Sequence, residues 1–173
     1  MELVEVIKEQ IESVREEYIA YTDGSCNNLS PYGEGGAAYV ILKDGVVVHS
    51  ASKGFVQTTN YRMELLAILS VLTWLPDGSS VTIYTDSTSC ISACTKKDRP
   101  EKNPDIVHKC RARMRHMSVV NFQWVKGHSG NVYNEMVDQM AGAQTQAMMK
   151  KYNIPVYTIY NSPKCKRNQS QVM

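Results

Sequence analysis

The chain has 173 residues, a length that suits one domain. Its 19 Lys and Arg against 17 Asp and Glu leave a formal charge of +2, which excludes a polycation or an acidic tail protein as a description of the whole chain. With 43% hydrophobic and 21% charged residues, the composition is that of a soluble domain with a packed core.

Val4, Ile7, Ile11, Val14 and Tyr18 recur at intervals of three and four with glutamates between them, which predicts an amphipathic N-terminal helix. Two heptads are too few for a coiled coil, so docking on the protein's own surface is the favoured reading. The β-prone run from Ile19 ends in the turn chemistry of Asp23-Gly24-Ser25. Gly35 to Leu42 and Val46 to Phe55 read as two more strands joined at Asp44-Gly45, a hairpin signal. Thr59 or Asn60 can cap a helix that runs to Leu75 and stops before Pro76 and Gly78. Val81 to Thr85 is a fourth strand, followed by a short helix from about Ser87. A polar loop from Lys96 to Pro104 leads to a basic helix over Asp105 to Met117. Val119 to Val125 is the fifth strand, Lys126-Gly-His-Ser-Gly130 a loop, and Asn131 to Lys150 a closing helix. Hairpin-linked strands first and helix-linked strands later predict an α/β fold on a mixed sheet. The organisation expected is a helix over 1–17, a main domain over 18–150, and a basic C-terminal extension over 151–173 whose end is expected to be mobile.

The longest apolar stretch, Leu65 to Leu75, is broken by Ser70 and Thr73 and is too short to span a bilayer. No membrane is therefore expected as a partner, and Glu2 and Glu5 stand where a signal peptide would carry bases, so none is read. Cys26, Cys90, Cys94, Cys110 and Cys165 are an odd set without a CxxC pair, read as free thiols in a cytoplasmic protein. Charge is unevenly spread. Residues 1–17 carry six acids and two bases, Lys96 to Lys126 nine bases and three acids, and 139–173 five bases and no acid. Two basic zones on a near-neutral chain suggest a polyanionic partner, although a solvated face is the commoner meaning of such runs.

The segments Ile19-Ala-Tyr-Thr-Asp23-Gly-Ser and Thr82-Ile-Tyr-Thr-Asp86-Ser-Thr nearly repeat one another. If their strands are parallel neighbours, both carboxylates lie at the carboxyl edge of the sheet, where open α/β folds place their ligands; taken singly, each Asp also reads as a turn or helix cap. Glu64 is the only acid on a helix that is apolar nearly all round, and a buried carboxylate must be protonated, paired or bound to a cation. Arg62 is on a different face and is a poor partner for it. The alternative is an exit at the helix's first turn, favoured by the dipole. Asp138, in the closing helix, reads alone as a surface residue. His128, between glycines, suits a proton carrier near neutral pH but can equally be idle. Three or four carboxylates without a His/Cys set favour a hard cation, Mg²⁺ or Mn²⁺. Two such ions can clamp a phosphodiester, so the residues themselves point to metal-dependent phosphoryl transfer.

YTDGSC at 21–26, TNYRMELLAI at 59–68, IYTDS at 83–87 and VKGHSGNVYNEMVDQMA at 125–141 together resemble type 1 ribonuclease H. The likeness covers about residues 18–147. It implies a five-stranded mixed sheet flanked by helices, and cleavage of the RNA strand of an RNA–DNA hybrid with two Mg²⁺ ions, leaving 5′-phosphate and 3′-hydroxyl ends. It also implies that Asp23, Glu64, Asp86 and Asp138 bind metal and that His128 assists proton transfer or product release. Thr59 and Asn103 match a pocket for a DNA-strand phosphate, Asn60 a minor-groove reader, and Asn134 the asparagine before the last acid. Thr59 and Asn60 are also good helix caps, and Asn103 can fix a turn. Tyr61 stands where many members have an amide, and Asn27 to Glu34 differs from the glycine-rich form of that loop. Between Cys94 and Asp105, where many cellular members insert a Trp- and Lys-rich handle, this chain has a ten-residue polar loop with Lys96, Lys97, Arg99 and Lys102. Weaker hybrid binding is expected, with compensation from the helix carrying Lys109, Arg111, Arg113 and Arg115 or from the C-terminal segment.

Two other classes share the architecture. A module that grips nucleic acid or protein without cutting has no need of Glu64 on an apolar helix, and the GHSG loop at its spacing to Asn134 and Asp138 favours the ribonuclease form over a junction-resolvase or integrase-like nuclease. A nuclease domain detached from a reverse transcriptase would share the chemistry, but the extensions at both ends lean toward a free-standing enzyme.

Overall fold

The computed structural model describes residues 17–127 and 129–153. The helix expected at the N-terminus, His128 and the tail after Asn153 lie outside the described residues, except that Glu17 opens the first strand. Tyr18, counted on the apolar face of that helix, belongs to the same strand and is buried. Hydrogen bonding to a neighbouring strand on each side overrides the helical period there.

The described elements are β1 (Glu17–Cys26), β2 (Gly35–Lys43), β3 (Val46–Phe55), α1 (Asn60–Trp74), β4 (Ser80–Thr85), α2 (Thr88–Thr95), α3 (Pro104–Met114), β5 (Val119–Trp124) and α4 (Val132–Lys151). They form one sheet in the order β3-β2-β1-β4-β5. β2 is antiparallel to β1 and β3, while β4 is parallel to β1 and β5. This is the mixed five-stranded sheet flanked by helices that the sequence leads one to expect. Asp44 (φ 52°) and Gly45 (φ 75°) both sit in the left-handed region, as a tight hairpin turn matched to strand twist requires. The basic helix ends at Met114, short of Met117. Arg115, His116 and Met117 donate to carbonyls three residues back, a tighter turn that closes the helix early.

α1 lies on one face of the sheet with α2 and α3 behind it, and α4 covers β1, β2 and β3 on the other. Ala20, Ile41 and Ile83 meet Leu65, Ile68 and Leu72 of α1, all fully buried. Each of the Leu and Ile side chains contributes roughly 1.5–3 kcal/mol of burial. Val40, Ala38 and Leu42 meet Val137 and Ala141 of α4 in a smaller second cluster. α1 packs on most sides because strands lie beneath it and α3 above, which explains why its sequence is apolar nearly all round. No helix among the described residues is long and apolar enough to cross a membrane.

Candidate active site

Tyr21 pairs with Tyr84 in the parallel β1–β4 ladder, and Asp23 and Asp86 each follow two residues later. The near-repeat of the sequence is therefore a register, with Ile19 opposite Thr82 and Ala20 opposite Ile83. The two tyrosine rings stack at 4.8 Å and 15°, and Tyr133 of α4 lies 5.4 Å from Tyr21. Both aspartates end at the carboxyl edge of the sheet, half-buried for Asp23 and exposed for Asp86.

Glu64 reaches the same edge from α1. A Cβ on Gly24 would run into the backbone of Glu64 and lie 2.6 Å from the carbonyl carbon of Met63, so the lack of a side chain lets the first turn of α1 close on β1. Glu64 is 7% exposed. Its Oε1 accepts from Asn60 Nδ2 at 3.1 Å, and its Oε2 is buried without a hydrogen-bond partner. One carboxylate oxygen from each of Asp23, Glu64 and Asp86 lies within 4.8 Å of the others. Asp138, on the first half of α4, is near enough to hydrogen-bond Asp23.

The electrostatics follow from the crowding. Burial, then the charges of Asp23 and Asp86, push Glu64 up to about 8, against a smaller lowering by Asn60. Burial, then Asp86, push Asp23 up to about 7; Asp138 adds to the rise and the Gly24 N–H, 2.8 Å from Oδ1, opposes it. Asp86 is held from behind: Trp124 Nε1 donates to its main-chain oxygen at 3.1 Å, and Val125 N donates to Thr85 O at 3.1 Å. A Cβ on Gly127 would sit 2.8 Å from Asp86 Oδ2, so the glycine before His128 lies directly against this carboxylate. An orphaned buried carboxylate oxygen among like charges, with oxygen donors throughout, fits a hard divalent cation.

The remaining sequence-nominated residues fall into two groups. Asn60 belongs to the carboxylates through its bond to Glu64. Thr59 and Asn103 meet through Arg62: Thr59 Oγ1 accepts from Arg62 N at 3.2 Å as the α1 cap, and Asn103 Oδ1 accepts from Arg62 Nη1 at 3.0 Å. Arg62 also pairs with Asp105 at 2.7 Å, so it joins α1 to α3 and leaves Glu64 alone. Asn134 is buried one turn before Asp138, its N–H capped by Asn131 Oδ1 at 3.0 Å. His128 lies outside the described residues.

Two arginines of the basic helix are engaged within the domain. Arg111 donates to Ala93 O and Asp98 O, while Arg113 donates to Leu72 O, Leu75 O and Asp77. Both guanidinium groups satisfy carbonyls at helix ends of their own domain, where aliphatic burial and five donors per side chain serve better than solvent exposure. Lys96, Lys97, Arg99 and Lys102 are exposed, and three of them, together with Arg111, line a groove of about 560 Å³ with Thr88, Ser89 and Ser92 of α2, in which Asp98 and Glu101 also stand. Gly24, Arg62, Trp124 and Gly127 were not singled out from the sequence as site residues. Only the 63-residue offset between the two aspartate motifs, which sets the β1–β4 register, carried a signal of such packing.

A mixed sheet whose acids converge at its carboxyl edge from strand, helix and strand defines a nuclease of the ribonuclease H-like class. The family model for RNase H matches residues 15–146, and the chain belongs to that family, in its type 1 branch. Ribonuclease HI of Pasteurella multocida is 38% identical over 137 residues, 71% of this chain and 86% of that protein. Ribonuclease H of Desulforamulus reducens is 36% identical over 156 residues, 81% of this chain and 92% of that one. The fold is shared with the crystal structure of LC9-RNase H1, described as a type 1 RNase H with the type 2 active-site motif, at a TM-score of 0.66 and 19% identity over 84% of each chain.

Proposed function

We propose that this enzyme is an endonuclease that hydrolyses the RNA strand of RNA–DNA hybrids with two divalent cations, Mg²⁺ in the first place and Mn²⁺ as a substitute, held by Asp23, Glu64, Asp86 and Asp138. The observation that carries the reading is the meeting of three carboxylate oxygens within 4.8 Å, one residue of the three having a buried, unpartnered oxygen. Four deprotonated carboxylates carry four negative charges, which two divalent cations balance. Bound there, the cations supply Lewis acidity that activates the attacking water and offsets charge on the scissile phosphate.

The chain's own residues do the rest. Asn60 holds Glu64 Oε1, and Trp124 holds the Asp86 backbone, so the acids are oriented before substrate arrives. Water attack in line with O3′ gives 5′-phosphate and 3′-hydroxyl ends, and His128, next to Gly127, is the proton carrier for the leaving oxygen. Amide groups such as Asn60 and Asn134 can both donate to and accept from the 2′-hydroxyls of a shallow minor groove. Thr59 and Asn103 supply the donors for a DNA-strand phosphate, and the loop bases Lys96, Arg99 and Lys102 take the place of a basic handle. Four free thiols at Cys26, Cys90, Cys94 and Cys110 fit the cytoplasm as its setting.

The test is cleavage of a labelled hybrid with Mg²⁺, alongside duplex RNA, duplex DNA and Asp86→Asn. The expected result is cutting of the RNA strand of the hybrid alone, lost in a variant that keeps its fold. No cutting by the folded protein with either cation would replace this reading with that of a nucleic-acid-binding module.

A further inference from the structure

One fully buried carboxyl group plays no part in the site above. Glu34, in the loop between β1 and β2, has no exposed surface, and no basic side chain pairs with it among the described residues. Its partners are neutral: Ser30 Oγ donates to Oε1 at 2.9 Å and Asn27 Nδ2 to Oε2 at 3.4 Å. Burying a carboxyl group costs several kcal/mol unless its oxygens are satisfied, and a hydrophobic side chain of the same volume would fill the space at lower cost. What Glu34 organises is a polar turn, not the apolar core.

The turn is bonded throughout. The hydroxyl that donates to Glu34 also accepts from Tyr32 N at 3.1 Å, and Asn27 Oδ1 accepts from Leu29 N at 3.3 Å. Asn27 N donates to Glu34 O at 2.7 Å, closing the loop at its base. The turn is then joined to the segment entering α1: Gln57 N donates to Tyr32 O at 2.7 Å and Thr58 N to Gly33 O at 3.0 Å. Thr58 immediately precedes Thr59, the cap of the helix that carries Glu64. A chain of hydrogen bonds thus runs from Glu34 through Ser30, Tyr32 and Gly33 to the start of α1.

The outer side of this turn carries Asn28, Leu29 and Tyr32, the last two 48% and 55% exposed. Cys26 lies three strand residues beyond Asp23, about 10 Å away at the usual strand rise. A hybrid seated on the carboxylates reaches that distance within about three base pairs at roughly 3.4 Å per step. Resting on the hybrid-cleaving function proposed above, we propose that Glu34 is a positioning residue: its buried carboxyl group latches the β1–β2 loop to the entry of α1 and thereby sets how tightly the hybrid is held, without acting on the bond that breaks.

The test compares Glu34→Gln and Ser30→Ala with the unaltered enzyme. Ser30→Ala removes two bonds of the latch, to Glu34 Oε1 and from Tyr32 N, while leaving Glu34 in place, and so carries the test if Glu34→Gln does not fold. Two readouts are taken: steady-state cleavage of a hybrid, and exchange of the Gln57 and Thr58 amide hydrogens by NMR. The expected result is a KM for hybrid raised about fivefold or more with kcat within twofold, and exchange of those two amides accelerated at least tenfold. Folded variants with unchanged KM, a fall in kcat at constant KM, or unchanged exchange would each overturn the proposal. Failure of the unaltered enzyme to cut the hybrid would instead overturn the functional reading.

Discussion

The metal-free enzyme should lose stability as pH rises, and Mg²⁺ should restore it. Glu64 is held at about 8 against an ordinary 4.5, mainly by burial and then by Asp23 and Asp86. Asp23 is held at about 7 against 3.8. Both are acids with raised values, so between about pH 4 and pH 8 the native state binds more protons than the unfolded chain. Stability then falls with pH, being fully present below the unfolded values and lost as pH passes through the folded ones. At about 1.4 kcal/mol per pH unit, the Glu64 shift corresponds to a loss on the order of 5 kcal/mol as an upper bound. The Asp23 shift contains the same mutual repulsion and is not added to it. For a domain of this size the loss amounts to a fall in Tm on the order of 10 °C. Thermal unfolding in EDTA at pH 5 and pH 8.5 measures it, and repetition with excess Mg²⁺ should recover most of the difference at pH 8.5 and little at pH 5. Glu64→Gln, which keeps the acceptor for Asn60 but cannot ionise, should flatten the metal-free dependence and raise Tm at pH 8.5. A metal-free Tm that is level or rises with pH, or a Glu64→Gln variant with the original slope, would refute the reasoning.

Gly127→Ala places a methyl 2.8 Å from Asp86 Oδ2 and should lower kcat at least tenfold with the Tm nearly unchanged, read by steady-state kinetics and calorimetry. Arg113→Ala should cost about 1–3 kcal/mol, because the Leu72 and Leu75 carbonyls lose their donors; urea unfolding measures it, and hybrid affinity should not change. Neutralising Lys96, Arg99 and Lys102 should instead leave stability within about 0.5 kcal/mol and flatten the salt dependence of hybrid binding by two to three counterions, roughly 0.9 per lost phosphate contact. An unchanged salt slope in that triple variant would remove the loop from the substrate track.

Much of the architecture was legible because it is written in local chemistry. The Asp44-Gly45 turn, the Thr59 cap and the Pro76 stop each need only neighbouring residues, and each stands within a residue of where the sequence puts it. Tyr18 was misread because a helical period and a strand alternation can share a residue, and only pairing with β2 and β4 decides between them. The partners of Arg111 and Arg113 in α3 could not be told from sequence for a similar reason. A run of bases looks the same whether its donors meet phosphate or the open carbonyls of α1 and α2.

The site divides along the same line. Residue order is enough to show which acids are worth suspecting, since the two aspartates end matching strands and Glu64 stands alone on an apolar helix. It shows as well that the candidate ligands are all carboxylates and that the segment between α2 and α3 is a short polar loop with four bases. Only the folded chain shows that Gly24 lets α1 close on β1, that Trp124 holds the Asp86 backbone while Gly127 lies against its carboxylate, and that Arg62 spends its charge on Asp105. It alone set Glu34 at the base of the β1–β2 turn. The physical reason is that a residue's type and its neighbours in sequence fix its propensity and charge, whereas close approach, desolvation and partner choice are properties of surfaces that meet only after the chain has folded.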